Sequence, residues 1–285
     1  MAAEQPGAST QRDSHSKASD YVMGATDHER QRLMRQGAIL HEFLARAFRS
    51  AGLAPGMRVL DLGCGVGDVA MLAADLVGPT GSVVGIDRDP ASVAWANKRV
   101  AEAGYKNIHF QVGEFHEFTD SRPFDAIVGR FILMYLPDPV AILRHLSQIL
   151  RPGAVIAFME PDFTVQSRAF PESQFNGWFW ISEVLRRSGA RIDMGMRLYS
   201  TYRDAGFVNT ATDVSHLSGC GMTREMVEYF VDTLRSVLPK IIEYGLATYE
   251  EVQIDTLADR VEAIGREADP QWVGSRYISA WANKP

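Results

Sequence analysis

The chain is short of several features that would each commit it to a class. It has two cysteines, Cys64 and Cys220, in 285 residues. Two cannot build a disulfide framework or a pair of CxxC zinc knuckles, so the expected location is the reducing cytoplasm. No apolar run approaches the roughly 18 residues that a membrane span takes. The opening "MAAEQPGASTQRDSHSKASD" lacks the apolar centre of a signal peptide, and residues 1–20 are expected to form a flexible tail. Positive charge is also scarce. A formal net charge of −6 does not suit a surface that tracks phosphates, so neither nucleic acid nor a membrane is an expected partner. There is no internal repeat, and no histidine, cysteine or acidic spacing that suggests a metal site.

What is present is regular alternation. Leu33, Leu40, Leu44 and Phe48 recur at helical spacing between Glu29 and Ser50. "MRVLDL" reads as a strand, "VAMLAADLVG" as a helix and "SVVGID" as a second strand. In "DPASVAWANKRVAEAG", Asp89 is an N-cap, Pro90 opens the helix and Gly104 stops it. "NIHFQVG" and "FDAIVGR" are further strands. "DPVAILRHLSQILRPG" repeats the Asp-Pro opening and ends on Pro152-Gly153, and "AVIAFME" is the next strand. Apolar strands separated by helices predict an α/β fold with a doubly wound, mostly parallel sheet.

The pattern then changes. In "FPESQFNGWFWISEVLRRSG", Phe175, Trp178, Phe179 and Leu185 are expected on one helical face. "YRDAGF" reads as a short helix, "VNTATDVSHL" as a strand, residues 223–267 as helical and "SRYISAWA" as a last strand. Thr248 and Glu251 have capping-box spacing. The expected organisation is a helical lid over 21–52, an α/β core over 53–160, and the rest of the sheet over 161–285 with helical insertions at 161–200 and 222–268.

"VLDLGCGVGD" carries the chemistry. Gly63, Gly65 and Gly67 end a strand and open a helix, so a ligand can approach bare backbone at the carboxyl edge of the sheet. Asp87 ends the next strand, where a carboxylate accepts from both hydroxyls of a ribose. A dinucleotide fingerprint has a third glycine where this chain has Asp68. The carboxylates of Asp61 and Asp68 disfavour a pyrophosphate and favour a cationic, phosphate-free nucleoside. S-adenosylmethionine (SAM) has that character. An NAD(P)-dependent oxidoreductase is the alternative.

"VLDLGCGVGDVA", "VVGIDRDP", "QVGEFHEF", "FDAIVGRFILMYLPDP" and "LRPGAVIAFMEPD" together resemble the class I SAM-dependent methyltransferases over residues 57–163. "YVMGATDHERQRLMRQ" is similar to a lid segment of small-molecule, natural-product members. The resemblance implies a Rossmann-like, seven-stranded sheet closed by an antiparallel hairpin of the last two strands. It places Gly63, Cys64 and Gly65 at the methionine part of SAM, Asp87 at the ribose, and Arg88 beside the adenine. Gly113, Glu114 and Phe115 are placed around the adenine, Arg130 at the methionine end, and Tyr21 and Gln36 in the lid.

The expected activity is methylation of a small, largely apolar secondary metabolite on oxygen, nitrogen or carbon. Carbon methylation of an alkene with ring closure is one form, since aromatic faces stabilise a carbocation. A SAM-binding protein that cyclises without methyl transfer is a further alternative. Phe170, Phe179 and Tyr199 are candidate pocket residues, and His216 is a candidate base. His116 is a candidate shield of the adenine, while Glu160 and Asp162 suit capping and turns as well as catalysis. A homo-oligomer is compatible with the insertions.

Overall fold

The computed structural model describes residues 23–24, 26–165, 176–220, 223–268 and 271–285. Tyr21, Phe170, Phe175 and the tail over 1–20 lie outside them.

Helix α1 (Asp27–Ser50) leads into β1 (Arg58–Leu62), α2 (Asp68–Val77), β2 (Ser82–Asp87), α3 (Pro90–Glu102), β3 (Ile108–Val112), β4 (Phe124–Arg130), α4 (Pro139–Leu146) and β5 (Leu150–Asp162). Helices α5 (Gly177–Arg187) and α6 (Met194–Ala205) precede β6 (Val208–Cys220). Helices α7 (Arg224–Glu243), α8 (Tyr249–Val252) and α9 (Leu257–Ala268) separate it from β7 (Gln271–Asn283). The strands form one seven-stranded sheet in the order β3-β2-β1-β4-β5-β7-β6. Strands β1 to β5 are parallel, and β7 runs antiparallel to both β5 and β6. The doubly wound, mostly parallel sheet expected from the sequence is therefore the fold. The last two strands pair antiparallel, and α7, α8 and α9 stand between them, in the stretch read as helical from the sequence.

Local chemistry explains most boundaries. The Asp89 carboxylate accepts from Ala91 N and Ser92 N at the start of α3, and Asp138 accepts from Ala141 N at the start of α4. Thr248 and Glu251 form the reciprocal capping box. The α4 segment ends earlier than its sequence pattern. A 3-10 turn occupies Ser147–Ile149, and Lys284 Nζ donates to the carbonyls of Ser147 and Leu150 at 2.8 and 2.7 Å. A distant lysine thus satisfies acceptors that a longer helix would have used internally.

Both sheet faces are covered. One apolar cluster includes Leu62, Ile127, Phe158 and Ile278 with residues of α5, α6 and α7. The other includes Val59, Val128, Met159 and Tyr277 with Leu40 and Leu44 of α1 and Ala70 of α2. Helix α5 buries Trp180, Ile181, Val184 and Leu185. Its Trp178 ring lies 5.2 Å from Phe230 of α7 and 6.3 Å from Phe163. Phe179 is 46% exposed, so the expected single face of Trp178, Phe179 and Leu185 is corrected. The buried face of α5 carries Trp180, Ile181, Val184 and Leu185, a rotation that apolar spacing alone leaves open when aromatic residues are consecutive.

Helix α6 reaches β5 through a residue without a side chain. A Cβ on Gly195 would stand 2.7 Å from Ile278 Cδ1 and 2.8 Å from the Glu160 carbonyl oxygen. Gly195→Ala is expected to cost about 1–3 kcal/mol through overpacking. Urea unfolding should show a lower midpoint with an unchanged slope; an unaltered midpoint would refute this close-packing account.

Candidate active site

The carboxyl ends of β1, β2, β3 and β4 meet around the glycine loop. Gly63 N and Cys64 N both donate to the Ile86 carbonyl, at 2.9 and 3.0 Å. Gly65 N donates to Asp87 Oδ2 at 2.9 Å, and Asp89 N donates to Oδ1 at 2.9 Å. The loop is therefore stitched to the end of β2. Gly65 has φ +49°, and a Cβ there would meet nothing within 4 Å. Gly67 has φ +90° and packs against Phe110 and Ala96. The first glycine opens the backbone outward, while the second lets α2 lie close to α3. Burial raises the carboxyl of Asp87 above its ordinary range. Burial also pushes the Cys64 thiol well up, which makes it a poor nucleophile.

Asp61 defines the electrostatics. It is fully buried in β1, and neither carboxylate oxygen completes a hydrogen bond among the described residues. Burial pushes it up to about 8, against the lowering effect of Arg130 and a small one from the Ala70 amide. Asp87 and Asp68 add repulsion. Asp68 itself is not a bare charge: Arg99 lies 2.8 Å from Oδ1 and Arg130 3.7 Å from Oδ2. The sequence argument that both acids repel a phosphate is thus narrowed to Asp61. Arg99, one turn from the end of α3, was not singled out by sequence because its partner lies on another helix.

Glu160, at the end of β5, has a second role that sequence did not disclose. Its carboxylate accepts from Ile132 N, Leu133 N and Met134 N at 2.9, 2.8 and 3.3 Å. Burial raises it to about 8 despite those three amides. It clamps the turn after β4, whose first residue, Phe131, has φ +53°. Asp162 accepts from Thr164 N at 3.0 Å and pairs with Arg276. Asp162 thus has the local turn role considered for it, while Glu160 acts on the turn of a neighbouring strand.

The lid helix closes over this edge. A Cβ on Gly37 would stand 2.6 Å from the Asp68 carboxylate, so α1 crosses the start of α2. Its neighbour Gln36 is buried and donates to Tyr229 Oη on α7 at 3.0 Å. The Arg30 guanidinium lies 5.9 Å from the Trp95 ring centroid on α3. Arg130 is half-buried between Asp61 and Asp68. Gly113 N bonds the Asp87 carbonyl at 3.0 Å, Phe115 is buried, and Arg88, Glu114 and His116 are exposed.

Three expected roles are not brought together with the loop. Tyr199 is 55% exposed on the solvent side of α6, opposite the buried Leu198 and Tyr202. Phe179 is likewise exposed rather than folded inward. His216 lies within β6 rather than after it. It is exposed opposite Arg276, with β7 and β5 between it and β4.

Among the described residues no cluster of histidine, cysteine and acidic side chains suits a metal, and no helix is long and apolar enough to cross a membrane. A neutral side chain at Asp61 should relieve the burial penalty. The unfolded chain releases this proton near 3.8 and the folded chain only at about 8, so stability falls as pH rises between those values. Asp61→Asn is expected to raise the ligand-free Tm at pH 8 by more than about 2 °C, with the gap narrowing toward pH 5. Melting curves at both pH values check this; a gap that does not change with pH would contradict it.

Residues 53–191 match a family described as a methyltransferase domain. An aklanonic acid methyltransferase of Streptomyces sp. (strain C5) is 38% identical over 42% of this chain and 55% of its own length. A 2-phytyl-1,4-naphtoquinone methyltransferase of Synechococcus elongatus is 36% identical over 49% of this chain and 62% of its own. The chain therefore spans less than two thirds of either relative. A SAM-dependent methyltransferase structure from Aquifex aeolicus superposes with TM-score 0.51 at 18% identity, covering 92% of this chain and 100% of that one. The glycine loop, the β2 acid and five strands of the 3-2-1-4-5-7-6 sheet lie within the matched segment, so residues 53–191 are a methyltransferase domain, similar to the class I SAM-dependent enzymes that the sequence motifs resemble.

Proposed function

We propose that the protein transfers a methyl group from SAM to a small, largely apolar molecule. The observation that carries this is Asp61: a buried carboxylate without a hydrogen-bond partner, beside a loop whose Gly65 faces open space. Arg130 offsets its burial only in part, so a bound cation would favour the ionised form and a phosphate would oppose it. The donor set fits SAM. Asp61 provides the negative field for its ammonium and sulfonium, and Arg130 lies where a methionine carboxylate needs a cation. Asp87 keeps a lone pair on each oxygen for ribose hydroxyls, since each accepts one amide. Arg88, Gly113, Glu114 and Phe115 border the adenine side, and the lid residue Gln36 covers the methionine side. When bound, SAM supplies a methyl group on a sulfonium that needs no further activation.

The protein's share of catalysis is then positioning. The clamp of Glu160 on residues 132–134 fixes the turn after β4, and the α1 strap closes the crevice from above. The aromatic cluster of Phe163, Trp178 and Phe230 stands at the end of β5 and is the proposed roof of the acceptor site. It suits an apolar acceptor, including an alkene carbon whose methylation leaves a cation. His216 is not needed in this reading.

Calorimetry should show binding of SAM and S-adenosylhomocysteine and none of NAD(P). Asp61→Ala should weaken SAM by more than about tenfold through loss of a charge-assisted contact. Binding of NAD(P) in place of SAM would reject the proposal. Tight SAM binding with no methyl transferred from labelled SAM to any acceptor would favour the cyclase alternative.

A further inference from the structure

Ile132 joins the two walls of the crevice. It is the second residue after β4 and is half-buried. A Cβ on Gly63 would stand 2.6 Å from Ile132 Cδ1 and 2.7 Å from Cγ1, so this side chain rests on the bare Cα of the first loop glycine. A Cβ on Gly129 would stand 3.0 Å from Ile132 Cγ2. Ile132 is thus wedged between the end of β4 and the loop that follows β1. Gly63 has φ +69°, and its amide is tied to the Ile86 carbonyl of β2 at 2.9 Å. The first glycine is therefore held by β2 on one side and by Ile132 on the other.

Ile132 is held in turn by Glu160. Its amide and that of Leu133 converge on one oxygen, Oε1, at 2.9 and 2.8 Å, while Met134 N reaches Oε2 at 3.3 Å. Glu160 has no exposed surface with which to meet a ligand. Burial and the three amides are the groups that act on its carboxyl, and no charged side chain is among them. The neighbouring Tyr202 hydroxyl donates elsewhere, to the Ala280 carbonyl at 3.1 Å. Burial raises the carboxyl to about 8, so near neutral pH it is mostly protonated. A protonated carboxyl keeps a carbonyl oxygen with two lone pairs, and Oε1 receives two amides.

We propose that Glu160 is a positioning residue for the cofactor: it acts as a hydrogen-bond acceptor, not as a charge or a base, and through Ile132 it seats the glycine loop in the shape that receives SAM. The inference rests on the methyltransferase reading and deepens it, by naming the group that shapes the cofactor site from the β4 side. A charge would be lost in any neutral replacement. An acceptor needs only an oxygen at the place of Oε1. Glutamine supplies that oxygen and forfeits the longest of the three bonds, the one to Met134 N. Methionine fills a similar space but leaves the Ile132 and Leu133 amides without an acceptor, and a buried donor left unpaired is costly. The turn then shifts to find other partners, and Ile132 leaves Gly63.

The test is calorimetric binding of S-adenosylhomocysteine at neutral pH. Glu160→Met is expected to weaken it by at least about tenfold, and Glu160→Gln by less than about threefold. Ile132→Ala keeps the hydrogen bonds of Glu160 and removes the wedge, with an expected loss of at least about fivefold. Both changes act through one contact, so the double variant Glu160→Met with Ile132→Ala should bind within about threefold of the weaker single variant. A Glu160 that served only the stability of the fold would move Tm in these variants and leave the affinity of the folded protein unchanged. Equal losses in Glu160→Gln and Glu160→Met would reveal a charge role and overturn the inference. So would an unaltered affinity in Ile132→Ala. If Glu160→Met does not fold, the other two variants still decide: a tenfold loss in Glu160→Gln, or none in Ile132→Ala, refutes it. Failure of the unaltered protein to bind S-adenosylhomocysteine would instead strike the reading on which the inference rests, so the two failures are distinguishable.

Discussion

A carboxylate buried at the centre of a parallel sheet is the constraint around which the crevice is arranged. Asp61 lies in β1, in register with Gly85 of β2 and Val128 of β4. Neither neighbour offers it a side-chain donor. Water is excluded, and the opposing Arg130 only partly offsets the burial. A group held in this way destabilises the empty fold and favours a cation at the loop. The surrounding choices keep that field from being cancelled or blurred. Asp68, across the glycine loop at the start of α2, is paired with Arg99 and Arg130. Asp87 has its oxygens occupied by amides of the loop and of α3, which fixes their direction.

Helix α1 links this field to the helices that follow the sheet core. Gly37 rests on Asp68, and the face one residue earlier reaches α7 through Gln36 and Tyr229. Further along the same contact, the buried Glu29–Arg32 pair at 2.7 Å receives Ser236 Oγ of α7 at 2.6 Å. At the other end of α1, Arg46 reaches Asp213 and Ser215 on β6. The pair itself lies within α1, and the bond that crosses to α7 is the one Ser236 Oγ donates to the Glu29 carboxylate that Arg32 holds in place. The strap is therefore specific in register, and the polar groups it carries are fixed with respect to both the loop and the later helices.

The parts of this arrangement that were legible in the sequence are those set by neighbours in the chain. Asp89 and Asp138 cap helices two and three residues ahead, and the Thr248–Glu251 box spans one turn. The glycine loop and Asp87 were legible for the same reason: a strand, a bare turn and a helix are consecutive. What stayed hidden depends on strand order. Glu160 clamps residues 132–134 only because β5 lies beside β4, and its sequence context of Met-Glu-Pro-Asp gives no sign of it. Tyr277 reaches Phe131 from a strand at the far end of the chain, inserted between β5 and β6. Tyr199 and Phe179 were misjudged for a simpler reason. One position along a helix turns a side chain by about 100°, so Leu198 and Trp180 face inward where their neighbours do not.

The turn after β4 shows how the two halves of the site constrain each other. Phe131 adopts φ +53°, a region a bulky residue enters only when its surroundings impose it. Those surroundings are visible. Phe131 N is held by the Met159 carbonyl at 2.9 Å, and the next three amides are held by Glu160. The ring is then pressed against Tyr277. An extended backbone at this point would carry the ring away from Tyr277 and draw residues 132–134 off the Glu160 carboxylate. The strained turn therefore connects Arg130, which faces the acids of the loop, to Tyr277 of β7.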